Sequence, residues 1–211
     1  MKPETMRMYL VTDSSRCTEE DFLNKVELAL MGGVSIVQLR EKDKTTREMI
    51  SLAEKLHELT KRHGVPLIID DRIDVAMAVG AEGVHLGQED MPVSTARRLL
   101  GDSFIIGATT KTVEQALTAY NSGADYLGVG AIFPTTTKVK TVLTSTETLG
   151  NICDAVPIPV NAIGGLNEEN IHVLKGIPIA GVCVVSAIMK ADDPGKAARA
   201  LREKINTVLA L

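Results

Sequence analysis

Three cations (Arg40, Lys42, Lys138), three carboxylates (Asp70, Asp71, Asp90) and a set of hydroxyls (Thr109, Thr135, Thr136, Thr137, Ser186) lie at or just beyond the ends of short apolar runs. The segments are "VSIVQLREK", "VPLIIDDR", "GVHLGQED", "FIIGATTK", "DYLGVGAIFPTTTK", "IPVNAIGG" and "GVCVVSA". Arginine and lysine suit a polyanion such as pyrophosphate, and Arg40 and Lys42, two apart on an extended segment, share one face. Asp71 and Asp90 are hard oxygen ligands, and Mg²⁺ needs only one or two carboxylates when substrate phosphates complete its shell. Gly164, Gly165, Ser186 and the threonines are phosphate chemistry, through backbone N–H groups and hydroxyl donors. Taken singly, each group has a plainer explanation. Arg40 and Lys42 could pair with Glu41 or Asp43 at the surface, Asp70-Asp71 could be a turn or helix cap, and glycines also serve tight turns. Their recurrence at strand ends is what scattered surface pairs would not show. The chain carries no H-E-x-x-H, G-x-S-x-G or Walker A pattern. On residues alone it reads as a transferase or isomerase of phosphorylated small molecules.

Those positions need elements to hold them. The runs, with "MYLVTD" ahead of them, are apolar throughout rather than alternating, as in parallel strands covered on both faces. Helical patterns lie between. Met49, Leu52, Leu56 and Leu59 form one stripe, and Thr45-x-x-Glu48 and Thr112-x-x-Gln115 read as capping boxes. Gly32-Gly33, Gly64 and Gly176 mark helix stops. Strand–helix units repeat eight times, the last helix being "PGKAARALREKINTVLA", with no linker or low-complexity tract. That pattern predicts one α/β domain over residues 1–211, a (β/α)8 TIM barrel with its active site at the C-terminal ends of the strands. A doubly wound open sheet is the runner-up, but the first strand-to-helix turn lacks G-x-G-x-x-G.

Composition bounds the function classes. The 211 residues are 45% hydrophobic, with few aromatics and no Trp, so the core must be aliphatic. A net charge of −4 with dispersed Lys and Arg argues against a nucleic-acid or anionic-membrane surface. Cys17, Cys153 and Cys183 have no metal-type spacing and suit a reducing cytoplasm. The N-terminal stretch has no long apolar segment, which predicts neither export nor a membrane span. His85, at a strand centre, reads as packed rather than catalytic, and His57, His63 and His172 read as surface residues.

The ordered set "YLVTD", "QLREK", "PLIIDDR", "GVHLGQEDMPV", "IIGATTKT", "DYLGVGAIFPTTTK", "PVNAIGG" and "GVCVVSAI" resembles the thiamine-phosphate synthase family from about Tyr9 to Ile188. The resemblance implies condensation of 4-amino-5-hydroxymethyl-2-methylpyrimidine pyrophosphate with a thiazole phosphate, free or carboxylated, giving thiamine monophosphate and pyrophosphate with Mg²⁺ as cofactor. It further implies that pyrophosphate leaves first. Carried over by motif, Gln38, Leu39, Arg40, Glu41, Lys42, Asp70, Thr109 and Lys138 would hold the pyrimidine pyrophosphate. Arg40, Lys42, Lys138 and Thr109 would be the catalytic groups, and Asp71 and Asp90 the metal ligands. Thr135, Thr136, Thr137, Gly165, Val185 and Ser186 would hold the thiazole phosphate. The implied partners are those two small molecules, with no nucleic acid and no membrane, in a cytoplasmic protein compatible with a homo-oligomer. Two positions depart from the family: Asp70 stands where Asn is usual, and Lys111 where His is common. Residues 139–150, polar and Thr-rich, read as a lid. The rival readings are a thiazole tautomerase on the same barrel, a phosphosugar isomerase, and a non-catalytic phosphate-binding barrel.

Overall fold

The computed structural model describes residues 3–15, 17–135 and 142–209. The expected apolar runs are its strands: β1 (Met8–Val11), β2 (Ile36–Leu39), β3 (Leu67–Asp70), β4 (Gly83–Leu86), β5 (Ile105–Thr110), β6 (Tyr126–Val129), β7 (Val160–Ile163) and β8 (Gly181–Val184). All pair in parallel in chain order, and β8 closes on β1, where Tyr9 is in register with both Ile36 and Cys183. Around them run α1 (Glu19–Met31), α2 (Thr46–Arg62), α3 (Ile73–Val79), α4 (Val93–Leu100), α5 (Val113–Asn121), α6 (Thr146–Ala155), α7 (Ser186–Met189) and α8 (Pro194–Val208). This is the (β/α)8 barrel that the alternation predicts.

Closure explains why the strands do not alternate in polarity. One set of side chains, including Leu10, Val37, Leu39, Leu67, Ile69 and Val84, faces outward onto the apolar stripes of the helices. The other set, Met6, Tyr9, Val11, Ile36, Ile68, Tyr126 and Cys183, fills the barrel interior. Both are buried, each large aliphatic side chain being worth roughly 1.5–3 kcal/mol. The period of two then does the positioning. Gln38 and Arg40 follow interior Ile36, Asp70 follows interior Ile68, and Thr109 follows Gly107. The interior is therefore largely apolar low in the barrel, where Asn161 is a buried exception that donates to the Met6 carbonyl, and polar towards the C-terminal ends.

Helix starts follow the sequence signals. Thr45 and Glu48 make a full capping box, each satisfying the other's backbone N–H. The second box is half made. Thr112 accepts from the Gln115 N–H, but the Gln115 side chain accepts from the N–H of Lys111 instead. α8 starts at Asp193, whose carboxylate accepts from the Lys196 N–H, with Pro194 just inside the helix.

Two expectations are corrected. Between β7 and β8 there is a single 3-10 turn, Ile171–Leu174, rather than an α-helix. Asn167 and Asn170 exchange side-chain to backbone hydrogen bonds just before it, offering the chain an alternative to the helical ladder, and Gly176 and Pro178 stop it soon after. His57 is not a surface residue: it is 2% exposed. Its ring nitrogens meet the Val79 carbonyl at 3.1 Å and Glu82 Oε1 at 3.0 Å, which satisfies a polar ring on the buried face of α2. Of the expected lid, residues 139–141 lie outside the described residues, and the stretch from Thr144 is anchored. The Thr144 N–H donates to the Ala131 carbonyl at 2.8 Å, and Ser145 caps α6, which begins at Thr146. Among the described residues no helix is long and apolar enough to cross a membrane.

Candidate active site

At the C-terminal ends of β2, β3 and β4 the expected charges converge. Lys42 Nζ contacts Asp70 Oδ2 at 2.9 Å and also pairs with Asp71, while Arg40 Nε lies 3.8 Å from Asp70 Oδ2. Asp71 takes φ of +61°, the left-handed region that Asp tolerates better than most residues. Its N–H donates to the His85 carbonyl, and that of Arg72 to the Asp70 carbonyl, so the turn after β3 is tied to β4 and back on itself. Asp90 is held by a 2.6 Å hydrogen bond from the Gly87 N–H.

The electrostatics record the crowding. Burial pushes the Asp70 carboxyl up, against the downward pull of Lys42 and Arg40 and with a further push from Asp90. Asp90 is raised by burial and by Asp71, which lies within hydrogen-bonding reach. For Lys42, burial lowers the ammonium, but Asp71 and Asp70 outweigh it and leave it raised. Arg40 and Lys42 thus offset part of the negative charge of the three carboxylates. Among the described residues no group of three or more His, Cys, Asp or Glu forms a metal cage. The adjacent oxygens of Asp71 and Asp90 fit Mg²⁺, which takes few protein ligands and draws the rest from phosphate and water.

Not every residue of "QLREK" reaches this cluster with its side chain. Gln38 is buried, and its Nε2 donates to Tyr9 Oη at 2.9 Å. Leu39 packs in the layer between sheet and helices, so only its backbone can serve a ligand. Glu41 points towards the loop after β1, where Ser14 Oγ donates to it at 2.8 Å and Lys44 lies 3.9 Å away. Burial raises its carboxyl, and its Oε1 is a buried oxygen with no hydrogen-bond partner among the described residues. The backbone of Arg40 is itself fixed, donating to Thr12 Oγ1 at 3.3 Å. Thr109, at the end of β5, meets His85 Nε2 at 2.8 Å, and its carbonyl accepts from the Gln88 side chain at 2.6 Å.

The remaining residues follow β6, β7 and β8, neighbours on the other arc of the rim. Gly164 and Gly165 have φ of +102° and +65°. A Cβ on Gly165 would stand 2.7 Å from Phe133 Cβ and 2.8 Å from the Pro134 carbonyl, so only glycine lets the turn after β7 pack beneath the Pro134–Thr135 segment. Phe133 N–H donates to the Gly164 carbonyl and Asn170 Nδ2 to that of Gly165, which fixes the turn. Thr135 is half-buried beside it, Val185 leads into α7, and Ser186 is exposed. Thr136, Thr137 and Lys138 lie outside the described residues.

Sequence reasoning passed over Tyr9, Tyr126 and, in part, His85. The Tyr9 and Tyr126 hydroxyls lie 2.7 Å apart, and Tyr126 Oη meets His85 Nδ1 at 3.0 Å. The available signal was their chemistry. Two of only three tyrosines sit within parallel strands, where a buried phenol must find a hydrogen-bond partner.

With this geometry described, comparison with known proteins is informative. Residues 8–188 match the family model described as thiamine monophosphate synthase. The thiamine-phosphate synthase 2 of Streptococcus pneumoniae serotype 4 is 51% identical over 210 residues, covering 100% of both chains. The thiamine-phosphate synthase of Enterococcus faecalis is 50% identical over 190 residues, 90% of each chain. The structure of a thiamine phosphate pyrophosphorylase from Pyrococcus furiosus superposes with a TM-score of 0.90 at 39% identity, covering 98% of each chain. A 3-hexulose-6-phosphate synthase from Salmonella typhimurium, at 16% identity and a TM-score of 0.77, shares the fold alone. Full-length identity near one half, over a barrel whose rim gathers these cations, carboxylates and glycines, places the chain in the thiamine monophosphate synthase family.

Proposed function

We propose that the protein joins 4-amino-5-hydroxymethyl-2-methylpyrimidine pyrophosphate to a thiazole phosphate, releasing thiamine monophosphate and pyrophosphate. The observation that carries this reading is the cluster of Arg40, Lys42, Asp70, Asp71 and Asp90, one contact network drawn from three strand ends. Arg40 and Lys42 bind the diphosphate, and Lys42 exchanges its carboxylate partners for phosphate oxygens as it does so. The bond from the pyrimidine methylene to the bridging oxygen breaks, and its electron pair leaves with pyrophosphate. The lone pair of the thiazole nitrogen then forms the new C–N bond, and a carboxylated thiazole also loses CO₂. Asp71 and Asp90 would hold a magnesium ion, which would supply positive charge for the departing group. Placed cations stabilise charge that develops on the leaving oxygens, so no strong protein nucleophile is required.

On the opposite arc, Gly165, Val185 and Ser186 offer backbone N–H groups to the thiazole's phosphate, with Thr135, Thr136 and Thr137 as hydroxyl donors. Lys138, after the threonines, is assigned to the departing pyrophosphate. The test is direct: supply both substrates with Mg²⁺ and measure thiamine monophosphate. Asp90→Ala and Lys138→Ala are each expected to lower kcat/KM at least about 100-fold, as loss of a transition-state charge contact does. Turnover that ignores EDTA and survives both substitutions would refute the reading. Binding of both substrates without product would favour a non-catalytic barrel.

A further inference from the structure

Gln38, Tyr9, Tyr126, His85 and Thr109 form an unbroken hydrogen-bonded chain through the barrel interior, one residue from each of five strands. Its links are 2.9, 2.7, 3.0 and 2.8 Å. Two glycines clear its path. A Cβ on Gly107 would stand 2.1 Å from Tyr126 Cζ, and one on Gly128 would stand 3.2 Å from His85 Cε1. Both phenols are essentially inaccessible, Tyr9 at 1% and Tyr126 at 0% exposure. Polar groups this deep are costly unless satisfied, so the chain is a constrained network.

The chain also has a direction. Gln38 Nε2 is a donor, so Tyr9 accepts there and its single proton goes to Tyr126. Tyr126, having accepted, gives its own proton to His85 Nδ1. A neutral imidazole that accepts at Nδ1 carries its hydrogen on Nε2 and donates it to Thr109 Oγ1. The hydroxyl proton of Thr109 is then directed away from His85, at the C-terminal end of β5.

We propose that Tyr126 is a positioning residue for the pyrimidine side of the site, holding His85 as its Nε2–H tautomer so that the Thr109 hydroxyl faces substrate as a donor. This rests on the reading that Gln38 and Thr109 bind the pyrimidine pyrophosphate. A donor at that point recognises a heteroaromatic ring nitrogen and discriminates against rings that present an N–H or C–H there. Phenylalanine keeps the shape of Tyr126 and removes both hydrogen bonds.

The experiment has two readouts. Nitrogen NMR of histidine-labelled protein, with His85→Gln to assign the signal, should show His85 as Nε2–H in the wild type and lose that pattern in Tyr126→Phe. In steady-state assays Tyr126→Phe should raise KM for the pyrimidine substrate on the order of tenfold, the size of one lost hydrogen bond. KM for the thiazole phosphate should be unchanged and kcat altered less. Thr109→Val should match Tyr126→Phe, and the double variant should be no worse than either single change. A wild-type His85 protonated at Nδ1, or a Tyr126→Phe variant with unaltered tautomer and KM, overturns the proposal. A wild type that makes no thiamine monophosphate overturns the functional reading instead, while the NMR result still decides the chain.

Discussion

Lys42 lies on both Asp70 and Asp71, so a divalent cation that takes these carboxylates must displace it. Lys42→Met should therefore tighten Mn²⁺ binding in the absence of substrate, on the order of tenfold, while weakening pyrophosphate; calorimetry of each ligand separately measures both. The neighbouring Asp70 is a carboxylate where the motif resemblance implies an Asn, which would be neutral. Asp70→Asn removes a buried charge but leaves Lys42 its contact with Asp71, and activity is expected to hold or rise. Complete loss of activity would give Asp70 a role of its own. The thiols offer a pH test at the same scale. Burial pushes Cys183 up to about 12 and Cys153, with help from Asp154, to about 11. At pH 8 the thiolate fraction of Cys183 is on the order of 10⁻⁴, and a raised thiol releases its proton only as pH climbs towards the raised value. Native Cys183 should resist iodoacetamide at pH 7 and 9 alike and become reactive in denaturant.

Elements, rather than single residues, decide which motif residues can act. The strand end of β2 sends Gln38 and Arg40 to one face and turns Glu41 back towards Ser14, so "QLREK" is two surfaces and not one. That division was readable from the period of two; the partner of Glu41 was not, because the loop after β1 meets it only in the folded chain. The turn after β7 makes the same point with backbone. Gly165→Ala introduces a Cβ into Phe133 and the Pro134 carbonyl at a positive φ, which must displace the Pro134–Thr135 segment. KM for the thiazole phosphate should rise about tenfold or more with a smaller effect on the pyrimidine substrate, in kinetics run with each substrate varied in turn. His57 and the half-made cap at Thr112 mark the limit of element-level reading. Local spacing states what a side chain could bond, while Glu82 and the Lys111 N–H decided what these two do.

At the scale of the whole molecule, the repeated strand–helix pattern pointed to the barrel, because strands apolar on both faces need helices all round them and eight such units close into a ring, while the open-sheet alternative lacked its glycine turn. It also gave the end of the barrel where chemistry would gather, since polar residues followed apolar ones at strand ends. The exceptions were local competitions: asparagine side chains replaced a helix with a 3-10 turn between β7 and β8. The sequence by itself determined the fold, the rim and the types of charge placed on it, all of which follow from periodicities within one strand or helix. Tertiary structure alone decided that Lys42 would lie on Asp70 and Asp71. It alone threaded five strands with a hydrogen-bonded chain past two glycines. Those outcomes depend on the shear that sets strand against strand, a property of the closed sheet that no stretch of neighbouring residues contains.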